Sequence, residues 1–226
     1  MADAPSNLRP MRPILRHPFV EEVLPIDGQP DVPAPEKKPA HKPGNWTHAQ
    51  LLKDLKCDGG TGIYAKAKAA NGGKDPIFKS GHSVIGTGGS TDTTTGVITL
   101  DPNQSRAYAA QVAIFELTNL SNKARFAKVD ADTAAGNHNR EQYIRANEAI
   151  EYEGIANTNK AFRACGAAWG APMGTPSIFQ PYAPVKNFED YYKNYLPPMH
   201  KHYYGSTWDK AFKAAYNAAH PPHNHP

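Results

Sequence analysis

Two stretches of the chain combine a glutamate with helix-forming neighbours, and these glutamates are the first candidates for chemistry. The first stretch is Ile114-Phe115-Glu116-Leu117-Thr118-Asn119, and the second is Arg145-Ala146-Asn147-Glu148-Ala149-Ile150-Glu151-Tyr152. When two carboxylates in one site have pKa values that are pushed apart, one can serve as general acid and the other as general base. We therefore predict that Glu116 and Glu148 are catalytic residues.

The helix that carries Glu116 is predicted to run from about Gln104 to Ser121, because Asp101-Pro102 supplies a capping carboxylate and a first-turn proline. Apolar residues recur around Glu116 at steps of three and four, which places its carboxylate on the apolar side. A carboxylate in that position loses its hydration. It must then be paired, hydrogen-bonded, bound to a cation or raised in pKa.

A second helix is predicted from about Arg140 to Ala164, with Glu148, Glu151 and Tyr152 on one face. Tyr143 lies one turn before them on the same helix. Polar and aromatic side chains next to a carboxylate pair can hold a substrate in place. The residues predicted to bind substrate are Asn119, Tyr143, Glu151 and Tyr152.

Shorter elements are predicted around these two helices. Further helices are expected at about 48–56, 63–70, within 187–196 and at 207–219. Short strands are expected at 77–78, 83–85 and 97–100, with a glycine-rich hairpin loop at 86–90 and an irregular segment from 119 to 139. These patterns predict an α+β fold that is mainly helical, with a small antiparallel sheet.

The first 44 residues differ in composition from the rest of the chain. They are rich in proline, most densely at Pro33-Ala34-Pro35-Glu36-Lys37-Lys38-Pro39. Proline lacks an amide donor and fixes φ, so this segment is predicted to be an extended arm or linker. Residues 45–219 are then expected to form a single globular domain, followed by a flexible histidine-rich tail at 220–226.

The charge pattern argues against a nucleic-acid partner, and the hydropathy argues against a membrane span. The net charge is +4, and the lysines and arginines form no run of the kind that nucleic-acid binders concentrate on one face. No stretch of about 18 apolar residues is present, so no membrane span is expected. Prolines at 5, 10, 13 and 18 interrupt every apolar candidate near the start, and we expect no secretory signal peptide.

Cys57 and Cys165 are the only cysteines. Two isolated cysteines do not make a zinc site unaided, and the sequence leaves open whether they pair or remain reduced thiols. If they pair, the folded protein works in an oxidising place that it reaches without a signal peptide. A specialised secretion route would account for that combination.

The two glutamate stretches together resemble thermolysin-like zinc metallopeptidases of the gluzincin type, over about Gly96 to Tyr152. In that family Glu116 would take the place of the general base that accepts a proton from zinc-bound water. Phe115 and Asn119 fall on the two histidine ligands, and Glu148 falls on the glutamate that is the third ligand.

Two further positions follow from the same resemblance. Tyr152 takes the place of the aspartate that steadies a ligand histidine. Gly96-Val97-Ile98-Thr99-Leu100 would correspond to the edge strand that pairs with extended substrate.

The chain departs from the family at the positions that bind the metal. Phenylalanine cannot ligate zinc, and asparagine is a weak ligand for it, so the cofactor stays unknown, with zinc still open. One remaining carboxylate does not hold catalytic zinc unless a histidine converges from elsewhere in the chain. The candidates for that role are His82, His138, His200 and His202.

The whole chain, with its proline-rich arm and degenerate peptidase-like domain, resembles secreted bacterial effectors of the polymorphic-toxin kind. The resemblance implies a hydrolase that acts on a peptide or a cell-wall polymer. The alternative is an inactive pseudo-peptidase that serves as a protein-binding module. Expected partners are the substrate and an immunity or secretion-apparatus protein. The expected location is the producer's cytoplasm, followed by signal-peptide-independent secretion.

Overall fold

The computed structural model describes residues 46–82, 88–179 and 185–221, together with the backbone of Leu15–Arg16. Apart from Leu15–Arg16, the prediction for the arm at 1–44 lies outside these residues, as do those for a strand at 83–85 and for most of the histidine-rich tail. Within them the chain forms a mainly helical α+β fold, as predicted.

The described residues contain eight helices and four strands. The helices are α1 His48–Asp54, α2 Thr61–Ala70, α3 Arg106–Ser121, α4 Lys123–Ala134, α5 Arg140–Cys165, α6 Phe188–Asn194, α7 Pro198–Ala211 and α8 Lys213–Ala219. The strands are β1 Leu15–Arg16, β2 Ile77–Ser80, β3 Gly89–Asp92 and β4 Val97–Leu100.

The sheet has the strand order β1-β3-β4-β2 and is mixed, not wholly antiparallel as predicted. β3 runs antiparallel to β4, whereas β2 runs parallel to it, with Ile77 opposite Val97. Because β4 is paired on both sides, it cannot be the edge strand that receives an extended substrate. The sequence does not predict β3, since Gly89-Ser90-Thr91-Asp92 has the composition of a loop.

Helix α3 forms the centre of the domain. Every residue from Ala109 to Leu120 is buried, so the helix is covered on all sides and is not amphipathic. It packs against α2, α5 and the sheet. α5 approaches it closely at Gly154, where an added Cβ would lie 2.8 Å from the Phe115 ring. Glycine at this position therefore sets the separation of the two glutamate-bearing helices.

Three boundaries differ from the sequence predictions. The segment predicted to be irregular contains α4, because its alanines and the Lys128–Asp132 pair at i, i+4 support a helix. The cap of α3 is Ser105, whose hydroxyl accepts from the Tyr108 amide, and not Asp101. The last predicted helix is two helices, and the first of them begins at Pro198, since proline is tolerated in a first turn.

The disulfide between Cys57 and Cys165 joins the segment after α1 to the end of α5. An ion pair holds the same corner of the domain, because the Arg106 Nε donates to Asp54 Oδ2 at 2.7 Å. Asp54 is buried, and its backbone carbonyl accepts from the indole of Trp169 at 3.1 Å. Among the described helices none is long and apolar enough to cross a membrane.

Removal of the disulfide is expected to destabilise the domain strongly. The bond closes a loop with a sequence separation of 108 residues. The chain-entropy model gives about 4.7 kcal/mol for a loop of roughly this length. Denaturant unfolding of the Cys57→Ala/Cys165→Ala double variant should show a loss of about 4 kcal/mol. The control is reductant, which should lower the Tm of the parent chain and leave the double variant unchanged. An unchanged parent Tm would contradict the prediction.

Candidate functional site

The Glu116 carboxyl lies in the interior, between α3 and β3. It is 0% exposed, and its Oε2 is hydrogen-bonded to the hydroxyl of Thr91. The same hydroxyl reaches the backbone carbonyl of Glu116 at 3.1 Å. A hydroxyl has only one hydrogen to donate. If Thr91 gives it to the carbonyl, the hydrogen bond with Oε2 requires a proton on Glu116.

The electrostatics of this position favour that proton. Burial raises the pKa of Glu116 well above its ordinary value. Hydrogen bonding from Thr91 and Asn119 opposes this rise in part, and the negative charge of Glu151 adds to it. Burial therefore favours the protonated form of the Glu116 carboxyl in the folded protein.

Glu151 lies on α5 and is held by two donors from other helices. Its Oε1 accepts from the Tyr204 hydroxyl at 2.6 Å, and its Oε2 accepts from the Asn119 amide at 3.2 Å. Glu151 is 1% exposed and Asn119 is 0% exposed. Asn119 therefore links α3 to α5, one turn beyond Glu116.

Glu148 lies one turn earlier on α5 and is also completely buried. Its Oε1 is 3.0 Å from Nδ1 of His200 on α7, and its Oε2 accepts from the Tyr191 hydroxyl on α6 at 3.2 Å. His200 is itself buried, so the pair is an interior one. Of the four histidines proposed to converge on the site, His200 is in contact with Glu148.

His200 interacts electrostatically with both Glu148 and Glu151. Burial alone would lower the pKa of His200. The charge of Glu148, the hydrogen bond to it and the charge of Glu151 together outweigh burial and raise the pKa above its ordinary value. Glu148 and Glu151 thus favour the protonated form of His200. We call the whole assembly the buried acidic cluster, formed by Thr91, Glu116, Asn119, Glu148, Glu151, Tyr191, His200 and Tyr204.

Two oxygen atoms in the buried acidic cluster have no hydrogen-bond partner within the described residues. They are Oε1 of Glu116 and Oδ1 of Asn119. Both belong to side chains that are 0% exposed, one turn apart on α3. The Asn119 amide donates to Glu151 Oε2 at 3.2 Å. Buried acceptors of this kind normally receive a hydrogen from water or a ligand.

The remaining predicted residues lie at the margins of the cluster. Tyr143 is buried, but its hydroxyl donates to Asp130 on α4 at 3.0 Å. Tyr152 is half-buried and packs against the rings of Phe188 and Tyr191, at centroid distances of 5.9 and 5.2 Å. The structure therefore brings Asn119 and Glu151 together with the two catalytic candidates and leaves these two tyrosines outside.

The residues present do not fit the zinc site that the resemblance implies. Phe115 has no donor atom and stacks on Phe179 with ring centroids 5.1 Å apart. Glu148, at the position of the third ligand, is occupied by His200 and Tyr191. In the part of the chain that the structure describes, no group of three or more histidine, cysteine, aspartate or glutamate side chains is arranged to hold a metal ion.

The sequence does not reveal the donors that neutralise the cluster. Thr91 is concealed by the loop-like composition of β3, and Tyr191 is predicted only as part of a short aromatic helix. A signal exists for α7, in which His200, Tyr204 and Trp208 recur every four residues on one face. The prolines at 197 and 198 obscure it, because they indicate a break in the chain and not the start of a helix.

Comparison with known proteins found no match. No protein-family model, no curated protein and no solved structure is similar to the chain.

The protonated state of Glu116 predicts how stability depends on pH. A carboxyl whose pKa is raised on folding contributes stability that is fully present below the unfolded pKa and is lost as pH rises through the folded pKa. Glutamine at this position stays neutral at every pH. The Glu116→Gln variant should therefore gain in unfolding free energy relative to the parent between about pH 5 and 8. The gain should grow by up to about 1.4 kcal/mol per pH unit, the slope for one proton held only by the folded parent.

Urea unfolding of both proteins across this pH range measures the difference. The control is Glu153→Gln, which removes an exposed carboxylate on α5 that pairs with Arg125. Its free-energy difference from the parent should show no such rise with pH. If the Glu116→Gln difference is flat as well, Glu116 is ionised in the folded protein.

The Glu148–His200 contact is expected to behave as a buried ion pair. Either Glu148→Gln or His200→Gln leaves a buried charge without its partner and should cost about 3 to 5 kcal/mol. The double variant removes both charges and should be clearly more stable than the sum of the single losses implies. Denaturant unfolding of the four proteins measures the coupling. Strict additivity would show that the two side chains do not interact.

Proposed function

We propose that the domain is a hydrolase of a secreted bacterial effector, which acts on a peptide or cell-wall polymer at a site centred on Glu116. The observation that carries the proposal is that two buried carboxyl groups share one network: Glu116, whose pKa is raised by burial, and Glu151, which accepts from the Asn119 amide. Two carboxyl groups with opposite protonation states are what acid–base hydrolysis requires at one pH. Oε1 of Glu116 and Oδ1 of Asn119 are acceptors that a buried water can reach.

In this proposal Glu116 is the general acid. It donates its proton to the leaving oxygen or nitrogen as the scissile bond breaks. Glu151 is the general base and accepts a proton from the attacking water, whose oxygen forms the new bond to the substrate carbon. Tyr204 and Asn119 hold the Glu151 carboxylate in position.

This assignment revises the role that the zincin resemblance gives Glu116. A zinc peptidase needs that glutamate as a base, ionised beside the metal-bound water. A glutamate that is protonated at neutral pH suits the acid role. Glu148, the predicted second catalytic residue, is engaged by His200, and Glu151 takes the place next to Glu116.

The binding-module alternative is favoured by one specific observation. All three carboxyl groups are at most 1% exposed, and an inactive descendant of an enzyme would retain them as interior hydrogen-bond acceptors. Under that reading the domain recognises an immunity or secretion-apparatus protein through its surface. Both readings include export from the producer's cytoplasm by a signal-peptide-independent route.

Loss of the Glu116 proton donor should abolish hydrolysis. Purified bacterial cell walls and a quenched fluorescent peptide library are each incubated with the full chain, and released fragments are identified by mass spectrometry. The Glu116→Gln variant should lower the rate of release by about 100-fold or more, because general acid–base catalysis contributes roughly 10² to 10⁴. The matched control is Glu153→Gln, the same chemical change outside the cluster, which should retain the parent rate.

Two outcomes would contradict the hydrolase proposal. One is release of fragments by the Glu116→Gln variant at the parent rate. The other is no release from either substrate by a parent chain whose fold and disulfide are intact, and this second outcome would favour the binding module.

A further inference from the structure

The last three described helices, α6, α7 and α8, form a layer on one side of the domain, which we call the terminal cover. α6 and α7 contact α5, and α8 contacts α4 and α7. The apolar side chains of the cover belong to two hydrophobic clusters that it shares with α3, α4 and α5. A third cluster joins α1, α2 and the sheet to α3, and none of its described residues lies in the cover.

The covalent and ionic ties of the domain lie outside the terminal cover. The Cys57–Cys165 disulfide joins the segment after α1 to the end of α5, and the Arg106–Asp54 pair holds the same corner. Contiguous parts of a protein can open as separate cooperative units, with free energies below that of global unfolding. The terminal cover is therefore a unit that can leave α5 while the disulfide-bonded part of the domain stays folded.

The terminal cover closes the buried acidic cluster. Tyr191 and His200 contact the Glu148 carboxylate, and the Tyr204 hydroxyl donates to Glu151. Both acids are buried beneath these side chains, so a polymer cannot reach them in this conformation. Release of the cover exposes both carboxyl groups on α5. That a substrate then meets them rests on the function proposed above, whereas the release itself does not.

The charge balance of the cluster depends on one proton. Of its eight residues three are acids, and His200 is the one base. Its Nδ1 atom lies 3.0 Å from Glu148 in an interior contact. The ionisable groups around the imidazole come from three helices and are Glu148 and Glu151 on α5, Tyr191 on α6 and Tyr204 on α7. Glu116 on α3 acts on this set through the charge of Glu151. If His200 loses its proton, the buried carboxylates face no cation within the cluster.

This loss is coupled to the docking of the terminal cover. Burial lowers the pKa of His200, but the charge of Glu148, the hydrogen bond to it and the charge of Glu151 raise it overall. In a released cover the imidazole is in water, where its pKa is about 6.5. The stability that the proton gives to docking is thus fully present below about pH 6.5. It is lost as the pH rises through the raised pKa of the docked state.

We propose that the terminal cover is a pH-operated gate over the buried acidic cluster, held closed by the His200–Glu148 pair and released as the pH rises. Ion pairs at the rim of the cover, such as Arg140–Asp209, are solvent-exposed. Exposed pairs contribute little, and arginine and aspartate do not titrate near pH 7. The pH dependence of docking therefore originates in the interior pair.

The test is hydrogen–deuterium exchange of the full chain, followed by mass spectrometry between pH 6 and pH 9. Each amide rate is corrected for the pH dependence of the intrinsic exchange rate, which gives the equilibrium constant for local opening. For α7 this constant should increase from about pH 6.5 upward, by up to about tenfold per pH unit, the slope for one proton held only by the docked state. For α2, outside the cover, it should not change.

Three variants separate the interior pair from other titrating groups. Glu148→Gln/His200→Gln removes both charges, and α7 should then open to the same extent at every pH. His200→Gln alone leaves Glu148 without its partner, so α7 should open more than in the parent at pH 6, again without the increase. The matched control is His202→Gln, the same change at an exposed position of the same helix, which should retain the increase.

Three results would overturn the gate. One is a parallel increase in α2 and α7, because the whole domain would then unfold. The others are an unchanged increase in the Glu148→Gln/His200→Gln variant and its loss in His202→Gln, since each would place the titrating group outside the pair. Hydrolysis is not measured, so failure of the hydrolase proposal would leave the outcome for the cover intact.

Discussion

The fold depends on the burial of three carboxyl groups between its two longest helices. An isolated charge in a protein interior costs several kcal/mol even after relaxation, so each group must be neutralised or hydrogen-bonded. α3 and α5 supply the acids and only one of the donors, the amide of Asn119. The others come from β3, α6 and α7, through Thr91, Tyr191, His200 and Tyr204.

Because of this requirement, residues from distant parts of the chain contact the carboxyl groups at the centre of the domain. α6 and α7 follow α5 after a long connection, and their aromatic residues form two further hydrophobic clusters against α3 and α5. Their hydroxyl and imidazole groups reach inward from those clusters to the carboxylates. The apolar packing of α6 and α7 is therefore coupled to the neutralisation of Glu148 and Glu151. Loss of the packing would expose the two carboxyl groups to water, and loss of the hydroxyl and imidazole groups would leave the carboxyl groups unpaired.

The sequence predicts the parts of this arrangement that depend on local pattern. The positions of α1, α2, α3, α5 and α6 follow from periodicity and caps, and so does the inward direction of Glu116. The parts that depend on long-range contacts cannot be predicted from local pattern. Gly89-Ser90-Thr91-Asp92 becomes a strand only because β4 pairs with it, and α7 is concealed by the prolines at its start.

In the candidate site, too, local pattern predicts some features and tertiary packing decides the others. That Glu116 needs a partner follows from its apolar neighbours, but which residue supplies the partner depends on tertiary packing. Spacing on α5 shows that Glu148 and Glu151 share a face, and the structure decides that Glu151 acts on Glu116 while Glu148 meets His200. Two acids one turn apart on the same helix are equivalent in sequence. They differ here because α6 and α7 supply the partners of Glu148, whereas α3 and α7 supply those of Glu151.

Stability alone does not account for the buried acidic cluster. Replacing a buried ion pair by apolar side chains of similar size is often neutral or stabilising, so a scaffold has no need of three interior acids. Under the hydrolase proposal, Glu116 is the group that gives a proton, because burial raises its pKa and Glu151 lies in the same buried network.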